Sequence, residues 1–210
     1  MVSGTELLDR LAEARLLGIV RGADAAAVEA TAHVLIDAGV ELLEVSLTSP
    51  DALAVINRLA GSAAQRAVIG AGTVLSTAQA EAVHAAGARF AVTPDLGAGA
   101  RRAVALGLPT VAGVLTPTEV RAATELGAAA VKLFPAASMG PGYLRALRGP
   151  YPDVHVVPVG GVDVGNAAEY LACGAVAVGA SSALVADAAD GGDLDALVDR
   201  AHAFLAAVAA

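Results

Sequence analysis

The chain has 210 residues, which is the usual size of one α/β barrel domain, and 56% of them are hydrophobic although only 3% are aromatic. We therefore expect a large core built from Ala, Val and Leu. The formal net charge of -8 excludes the basic surface that nucleic acids and anionic membranes require, so neither is expected as a partner.

The amino-terminal residues do not have the apolar run of a signal segment, because Glu6, Asp9 and Arg10 fall among the first ten. No stretch of the sequence approaches the roughly 20 apolar residues that a membrane helix needs. Cys173 is the only cysteine, and its setting in "YLACGAVAV" favours a core position over a redox role. These features predict a cytoplasmic protein.

One unit recurs along the chain: an Ala-rich helical stretch, a glycine, and a short apolar run. It occurs in "IDAGVELLEV", "HAAGARFAVT", "ALGLPTVAGV", "ELGAAAVKLF" and "LACGAVAVGA". Glycine ends a helix in the left-handed conformation, and the run after it is typical of a buried parallel strand. Gly87, Gly107 and Gly127 lie 20 residues apart, about the length of one helix, one strand and two loops.

With "LGIVRG", "AVIGAGT" and "VHVVPVGG" added, the sequence predicts eight strands, each followed by a helix. We expect one (β/α)8 TIM-barrel domain over residues 1–210, with an extra amino-terminal helix near residues 3–16 and a final helix near 192–208. A doubly wound open sheet is the alternative. It is weakened because no G-x-G-x-x-G follows the first strand. Five residues are predicted as helix N-caps: Asp24, Ser49, Ser76, Thr116 and Asp163.

In such a barrel the chemistry lies where the strands end at their carboxyl side, and Lys132 lies there in the apolar run "AAAVKLFPA". It is the only lysine among 13 basic residues. Burial disfavours an ammonium ion and leaves a neutral amine, which can attack a carbonyl as an arginine cannot. The alternatives are a lysine that caps the strand or pairs with Glu44, and one that binds phosphate without covalent chemistry.

Glu44, in "LLEVSLTSP", is the second charge inside an apolar strand. A carboxyl group with a raised pKa can both take a proton from a hydroxyl group and return one to carbon, which are the two proton transfers of an aldol cleavage. An ion pair with Arg21 or Lys132 is the alternative.

Two glycine-containing segments, "VPVGGVD" and "VGASS", follow the last two strands and are typical of a phosphate site built from backbone N–H groups near a helix start. Tight turning alone would also explain them. The four histidines lack metal-ligand spacing, so no metal site is predicted.

The sequence resembles the class I aldolases that act on 2-keto-3-deoxy-6-phosphogluconate (KDPG) and 4-hydroxy-2-oxoglutarate (KHG). The resemblance is carried by "GIVRG", "LLEVSLTSP", "IGAGTVL", "FAVTPDL", "VKLFPAASMGPGYLRAL" and "VPVGGV", in family order. It implies a Schiff base on Lys132 and general acid/base catalysis by Glu44, without a cofactor. The substrate-binding residues it implies are Arg21 and Thr73 for the pyruvate portion, Pro94 and Phe134 for the pocket wall, and Gly160, Gly161 and Ser182 for phosphate.

The implied reaction cleaves a 2-keto-3-deoxy-6-phospho sugar acid to pyruvate and glyceraldehyde 3-phosphate, or KHG to pyruvate and glyoxylate, in a homotrimer. Thr48 stands where many phosphogluconate enzymes have arginine, and Val159 where they have threonine, which resembles the 6-phosphogalactonate branch. Two rival functions are a non-covalent sugar-phosphate epimerase or thiamine-phosphate synthase-like transferase, and a phosphometabolite binder without activity.

Overall fold

The computed structural model describes residues 3–209, in which strands and helices alternate. The strands are β1 Leu16–Val20, β2 Leu42–Ser46, β3 Val68–Gly72, β4 Ala91–Val92, β5 Thr110–Val114, β6 Ala130–Leu133, β7 Val156–Pro158 and β8 Val178–Ala180. The α-helices are α1 Gly4–Ala14, α2 Ala25–Asp37, α3 Ala52–Ser62, α4 Thr77–Ala85, α5 Ala98–Ala105, α6 Pro117–Leu126, α7 Gly140–Arg148, α8 Ala167–Ala172, α9 Ser182–Val185 and α10 Leu194–Ala209.

All neighbouring strands are parallel, in the order β7-β6-β5-β4-β3-β2-β1-β8. An additional bridge joins Val159, just after β7, to Gly179 of β8, so the two ends of the sheet meet and form a nearly closed barrel. The predicted (β/α)8 fold is confirmed, and the alternative of an open doubly wound sheet is wrong.

Side chains alternate between the two faces of each strand, and this alternation decides what enters the barrel. In β1, Leu16 and Val20 pack towards the helices, whereas Leu17 and Ile19 pack inside the barrel. Leu7 and Leu11 of α1 belong to the same inner cluster, so this extra helix covers the amino-terminal end of the barrel. The opposite end, where the strands finish, is left for a functional site.

Most of the predicted element boundaries agree with the structure. Gly87, Gly107 and Gly127 all have positive φ and follow helices, as the 20-residue spacing predicts. Three predicted caps are confirmed, because the side chains of Asp24, Ser76 and Thr116 accept hydrogen bonds from the backbone of their own helices. No helix within residues 3–209 is long and apolar enough to cross a membrane.

Two predicted caps are wrong. Helix α3 begins after Asp51, and the hydroxyl group of Ser49 instead accepts a hydrogen bond from the backbone N–H of Gly22 at 3.2 Å. Helix α8 begins at Ala167, because the side chain of Asp163 closes a separate turn by accepting hydrogen bonds from the two residues before the helix. The side chain of Asp163 thus stabilises the loop before its own helix, whereas that of Ser49 holds the loop between β1 and α2.

Candidate active site

A cavity of about 170 Å³ opens at the carboxyl ends of the strands. Eight residues singled out by the sequence line it: Arg21, Thr73, Pro94, Lys132, Phe134, Gly160, Gly161 and Ser182. They come from strand ends that are far apart in sequence, and the closure of the barrel brings them together. We refer to this space as the mouth cavity.

Lys132 enters the mouth cavity from β6. Its neighbours Val131 and Leu133 pack outward in the main core, so the alternation of the strand turns Lys132 into the barrel. The residue is only 7% exposed, and within residues 3–209 no carboxylate oxygen lies within 4 Å of its amine. The Nζ atom lies 5.3 Å from the centroid of the Phe134 ring. The amine therefore faces a small cavity with an aromatic wall.

Glu44 lies inside the barrel on β2 and is fully buried. Neither of its carboxylate oxygens has a hydrogen-bond partner in residues 3–209. Gly72 on the neighbouring strand makes room for it, since a Cβ atom at that position would overlap the carboxylate. The alternative of an ion pair between Glu44 and Arg21 or Lys132 is not found within residues 3–209.

Burial raises the pKa of the Glu44 carboxyl group above its ordinary value of 4.5, and this effect exceeds the opposing effect of the positive charges on Lys132 and Arg21. The raised pKa matches the sequence-based expectation. A carboxyl group of this kind holds its proton at a higher pH than an exposed glutamate, which suits a group that must both give and take protons.

Ser46 is a polar residue of the site that the sequence analysis missed. Its buried hydroxyl group accepts a hydrogen bond from Arg21 Nε at 3.3 Å and lies 3.0 Å from the hydroxyl group of Thr73 and 2.9 Å from that of Thr48. The signal was available, because Ser46 lies two residues after Glu44 and therefore points to the same face of β2.

Arg21 and Thr73 are linked to each other as well as to Ser46. Arg21 Nη2 donates to the hydroxyl group of Thr73 at 3.4 Å. Thr73 has a φ of 61°, a left-handed conformation that is rare for a β-branched residue and is typically found where function requires it. Arg21 and Thr73 form a polar wall of the mouth cavity, and the buried Ser46 hydroxyl group bonds to both of them.

Gly160 and Gly161 form the wall on the other side, after β7. Both have positive φ, and a side chain at either position would press against the segment that follows β6: the Phe134 ring for Gly160 and the Ala137 side chain for Gly161. The expected helix start is not adjacent, because α8 begins six residues after Gly161. Ser182 lines the cavity from the first position of the short helix α9.

Similarity to known proteins extends over most of the chain. The family model "KDPG and KHG aldolase" matches residues 7–199. The probable 2-dehydro-3-deoxy-6-phosphogalactonate aldolase of Rhizobium meliloti (strain 1021) is 39% identical over 197 residues, which cover 93% of this chain and 92% of that protein.

Two solved structures are similar in fold and sequence. A structure described as native KDPGal has a TM-score of 0.85 and 34% identity, covering 91% of this chain and 93% of the other. The structure of KDPG aldolase from Legionella pneumophila with pyruvate captured at low pH as a covalent carbinolamine intermediate has a TM-score of 0.83 and 27% identity. The match covers 96% of this chain and 98% of the other. The chain therefore belongs to the KDPG and KHG aldolase family and is a carbon–carbon lyase.

Proposed function

We propose that this aldolase cleaves a 2-keto-3-deoxy-6-phospho sugar acid to pyruvate and glyceraldehyde 3-phosphate through an imine on Lys132. The observation that carries the proposal is the buried Lys132 amine, which faces the mouth cavity and has no ion-pair partner within residues 3–209. Its charge acts on the fully buried Glu44 carboxyl group inside the same barrel. The same chemistry applies to KHG, which would give pyruvate and glyoxylate.

The first step joins Lys132 to the substrate. The neutral amine attacks the C2 ketone and forms a carbinolamine, which loses water to give a protonated imine. Lys132 brings a primary amine to the wall of the mouth cavity, and the Phe134 ring, whose centroid lies 5.3 Å from Nζ, restricts the approach to it. The protonated imine then withdraws electrons from C3, so no cofactor is required for bond cleavage.

The second step is assigned to Glu44. Its carboxylate form takes the proton of the C4 hydroxyl group, and the C3–C4 electron pair moves to C3 as the aldehyde leaves. The carboxyl group then returns the proton to C3 of the enamine, and hydrolysis releases pyruvate and the free amine. The raised pKa of Glu44 supports this double role, because one group must be available in both protonation states near neutral pH.

Different walls of the mouth cavity are assigned to different groups of the substrate. We assign the carboxylate of the pyruvate portion to Arg21 and Thr73, since an arginine beside a hydroxyl group is suited to bind a planar carboxylate. Pro94 lines the pocket together with Phe134. The phosphate is assigned to Ser182 and to Gly160 and Gly161, whose lack of side chains lets a ligand approach the backbone.

We further propose that the preferred C4 configuration is that of the phosphogalactonate substrate. Thr48 and Val159 support this assignment, and so does the 39% sequence identity to a probable phosphogalactonate aldolase. Measured pyruvate release from the two C4 epimers should give a higher kcat/KM for the galactonate epimer. A preference for the gluconate epimer would contradict the assignment.

We also propose that the chain forms a homotrimer, as the family resemblance implies, and that it is cytoplasmic, as its composition predicts. Sedimentation equilibrium of the purified chain tests the first. A mass of three chains, each of 20.5 kDa, is expected. Fractionation of the source cells tests the second.

The proposed chemistry is tested by reducing the protein with borohydride in the presence of pyruvate and mapping the adduct by mass spectrometry. We expect one pyruvate-derived mass increase, located on Lys132, and none in the Lys132→Arg variant, which keeps the charge but has no nucleophilic amine. A non-covalent epimerase or transferase, or an inactive metabolite binder, would give no adduct in either protein.

A further inference from the structure

We propose that Asp190 and Ser49 are positioning residues that hold the backbone beside Arg21 and thereby set the affinity for the 2-keto acid. This inference rests on the proposed function, in which Arg21 binds the substrate carboxylate. Both residues act through the loop that joins β1 to α2, and neither lines the mouth cavity.

The loop is fixed directly after Arg21. The N–H of Gly22 donates to the hydroxyl group of Ser49 at 3.2 Å, and the N–H of Ala23 donates to the carboxylate of Asp190 at 2.6 Å. The fit is close, because a Cβ atom at Gly22 would overlap the carbonyl group of Ala189. Two consecutive backbone donors are thus held by side chains from two different parts of the barrel.

The segment that presents Asp190 is itself anchored. It follows α9, whose last carbonyl groups, those of Leu184 and Val185, accept hydrogen bonds from Arg200 at 2.8 and 3.1 Å. The chain then turns at Ala186, which has a φ of 49° and a ψ of -121°, a conformation that L-residues rarely adopt. The turn at Ala188–Asp190 packs with two buried alanines against the barrel. Asp190 is therefore presented from a fixed support.

The Arg21 side chain depends on this backbone support because its own contacts are few. Its guanidinium group makes two hydrogen bonds, to Ser46 at 3.3 Å and to Thr73 at 3.4 Å, and the residue is otherwise exposed. Hydrogen bonds of this length are weak and do not hold the guanidinium group against a shift of the loop. Such a shift would move the group away from the proposed position of the substrate carboxylate. Helix α9, which precedes the segment that presents Asp190, begins at Ser182, so this part of the chain connects the proposed phosphate end of the cavity to the carboxylate end.

The test measures the pyruvate concentration that gives half-maximal borohydride trapping, in the full-length protein. Asp190→Ala should raise this concentration about 3- to 10-fold, the range that corresponds to the loss of one ordinary intramolecular hydrogen bond. The maximal trapping rate should be unchanged. Asp190→Asn keeps an acceptor oxygen and should restore the original value. Ser49→Ala should act in the same direction as Asp190→Ala.

A double-mutant cycle separates positioning from a general loss of stability. In an Arg21→Ala background, Asp190→Ala should have no further effect on half-saturation, because its only route to the ligand has been removed. Asp153→Ala, at an exposed aspartate on the loop before β7, is the matched control and should match the unsubstituted protein.

Three results would overturn the inference: half-saturation unchanged in Asp190→Ala, failure of Asp190→Asn to restore it, or full additivity with Arg21→Ala. If the unsubstituted protein gave no adduct at any pyruvate concentration, the proposed imine chemistry would be wrong, and so would the proposed binding of the substrate carboxylate by Arg21. The two failures are therefore distinguishable.

Discussion

Glu44→Gln should make the protein less active but more stable at neutral pH. The carboxyl group is fully buried, and neither oxygen has a hydrogen-bond partner in residues 3–209. Burial raises its pKa in the folded protein above the ordinary 4.5, so deprotonation at pH 7 favours the unfolded chain. The amide is similar in shape and carries no charge, so this cost disappears.

The sign of the change in stability follows from the coupling between proton binding and folding. A carboxyl group with a raised folded-state pKa contributes its full stability below the unfolded-state pKa and loses it as the pH rises through the folded-state pKa. Each pH unit between the two values corresponds to about 1.4 kcal/mol. We expect Glu44→Gln to raise the free energy of unfolding at pH 7 and to change it little below pH 4.5.

Urea unfolding at pH 7 and at pH 4 measures the gain, and pyruvate release measures activity, which should fall about 100-fold or more with the loss of a general acid/base. Glu169→Gln, at an exposed position of α8, is the matched control and should change neither quantity. The explanation fails if Glu44→Gln is less stable than the original protein at pH 7, or if its gain is equally large at pH 4.

Three other predictions can be checked with the same assays. Gly72→Ala should reduce kcat about 10-fold or more, because the added Cβ atom displaces the Glu44 carboxylate. The control Gly61→Ala, whose Cβ atom meets nothing within 4 Å, should retain full activity. Equal activities of the two variants would contradict this explanation. The acid limb of the pH profile of kcat/KM should lie above 4.5, because the base form of Glu44 is lost as the pH falls through its raised pKa, and a limb at or below that value would refute the assignment. Cys173→Ser should leave turnover unchanged under reducing and oxidising conditions, since the thiol is buried and accepts a hydrogen bond from Arg145 at 3.2 Å. A redox-dependent difference would contradict a core role.

The sequence predicted the barrel and most of the candidate site because both follow from local patterns. A repeated helix, glycine and apolar run implies a parallel sheet, and the strand ends of a parallel barrel meet on one side. This is why the sequence alone places Lys132, Thr73 and Gly160, which are far apart in the chain, at one end of the barrel, where they line one cavity. The predicted family was likewise confirmed.

The features that were missed depend on contacts between distant segments. The hydrogen bond from Ala23 to Asp190 spans 167 residues, and no local pattern marks either partner. Gly72 is one of two glycines in "IGAGT", and only the three-dimensional packing of β2 against β3 shows that a Cβ atom at Gly72 would overlap the Glu44 carboxylate. Ser49 resembled a helix cap because it precedes a proline, but its hydroxyl group is used by another loop.

The most direct test of the buried amine and carboxyl group acting together is the exchange of the pyruvate methyl protons in D2O, followed by NMR. Exchange requires both an imine and a group that moves protons at C3, and it needs no aldehyde. We expect rapid exchange with the unsubstituted protein, none above background with Lys132→Arg, and a rate at least about 100-fold lower with Glu44→Gln. Undiminished exchange with Lys132→Arg would contradict the account.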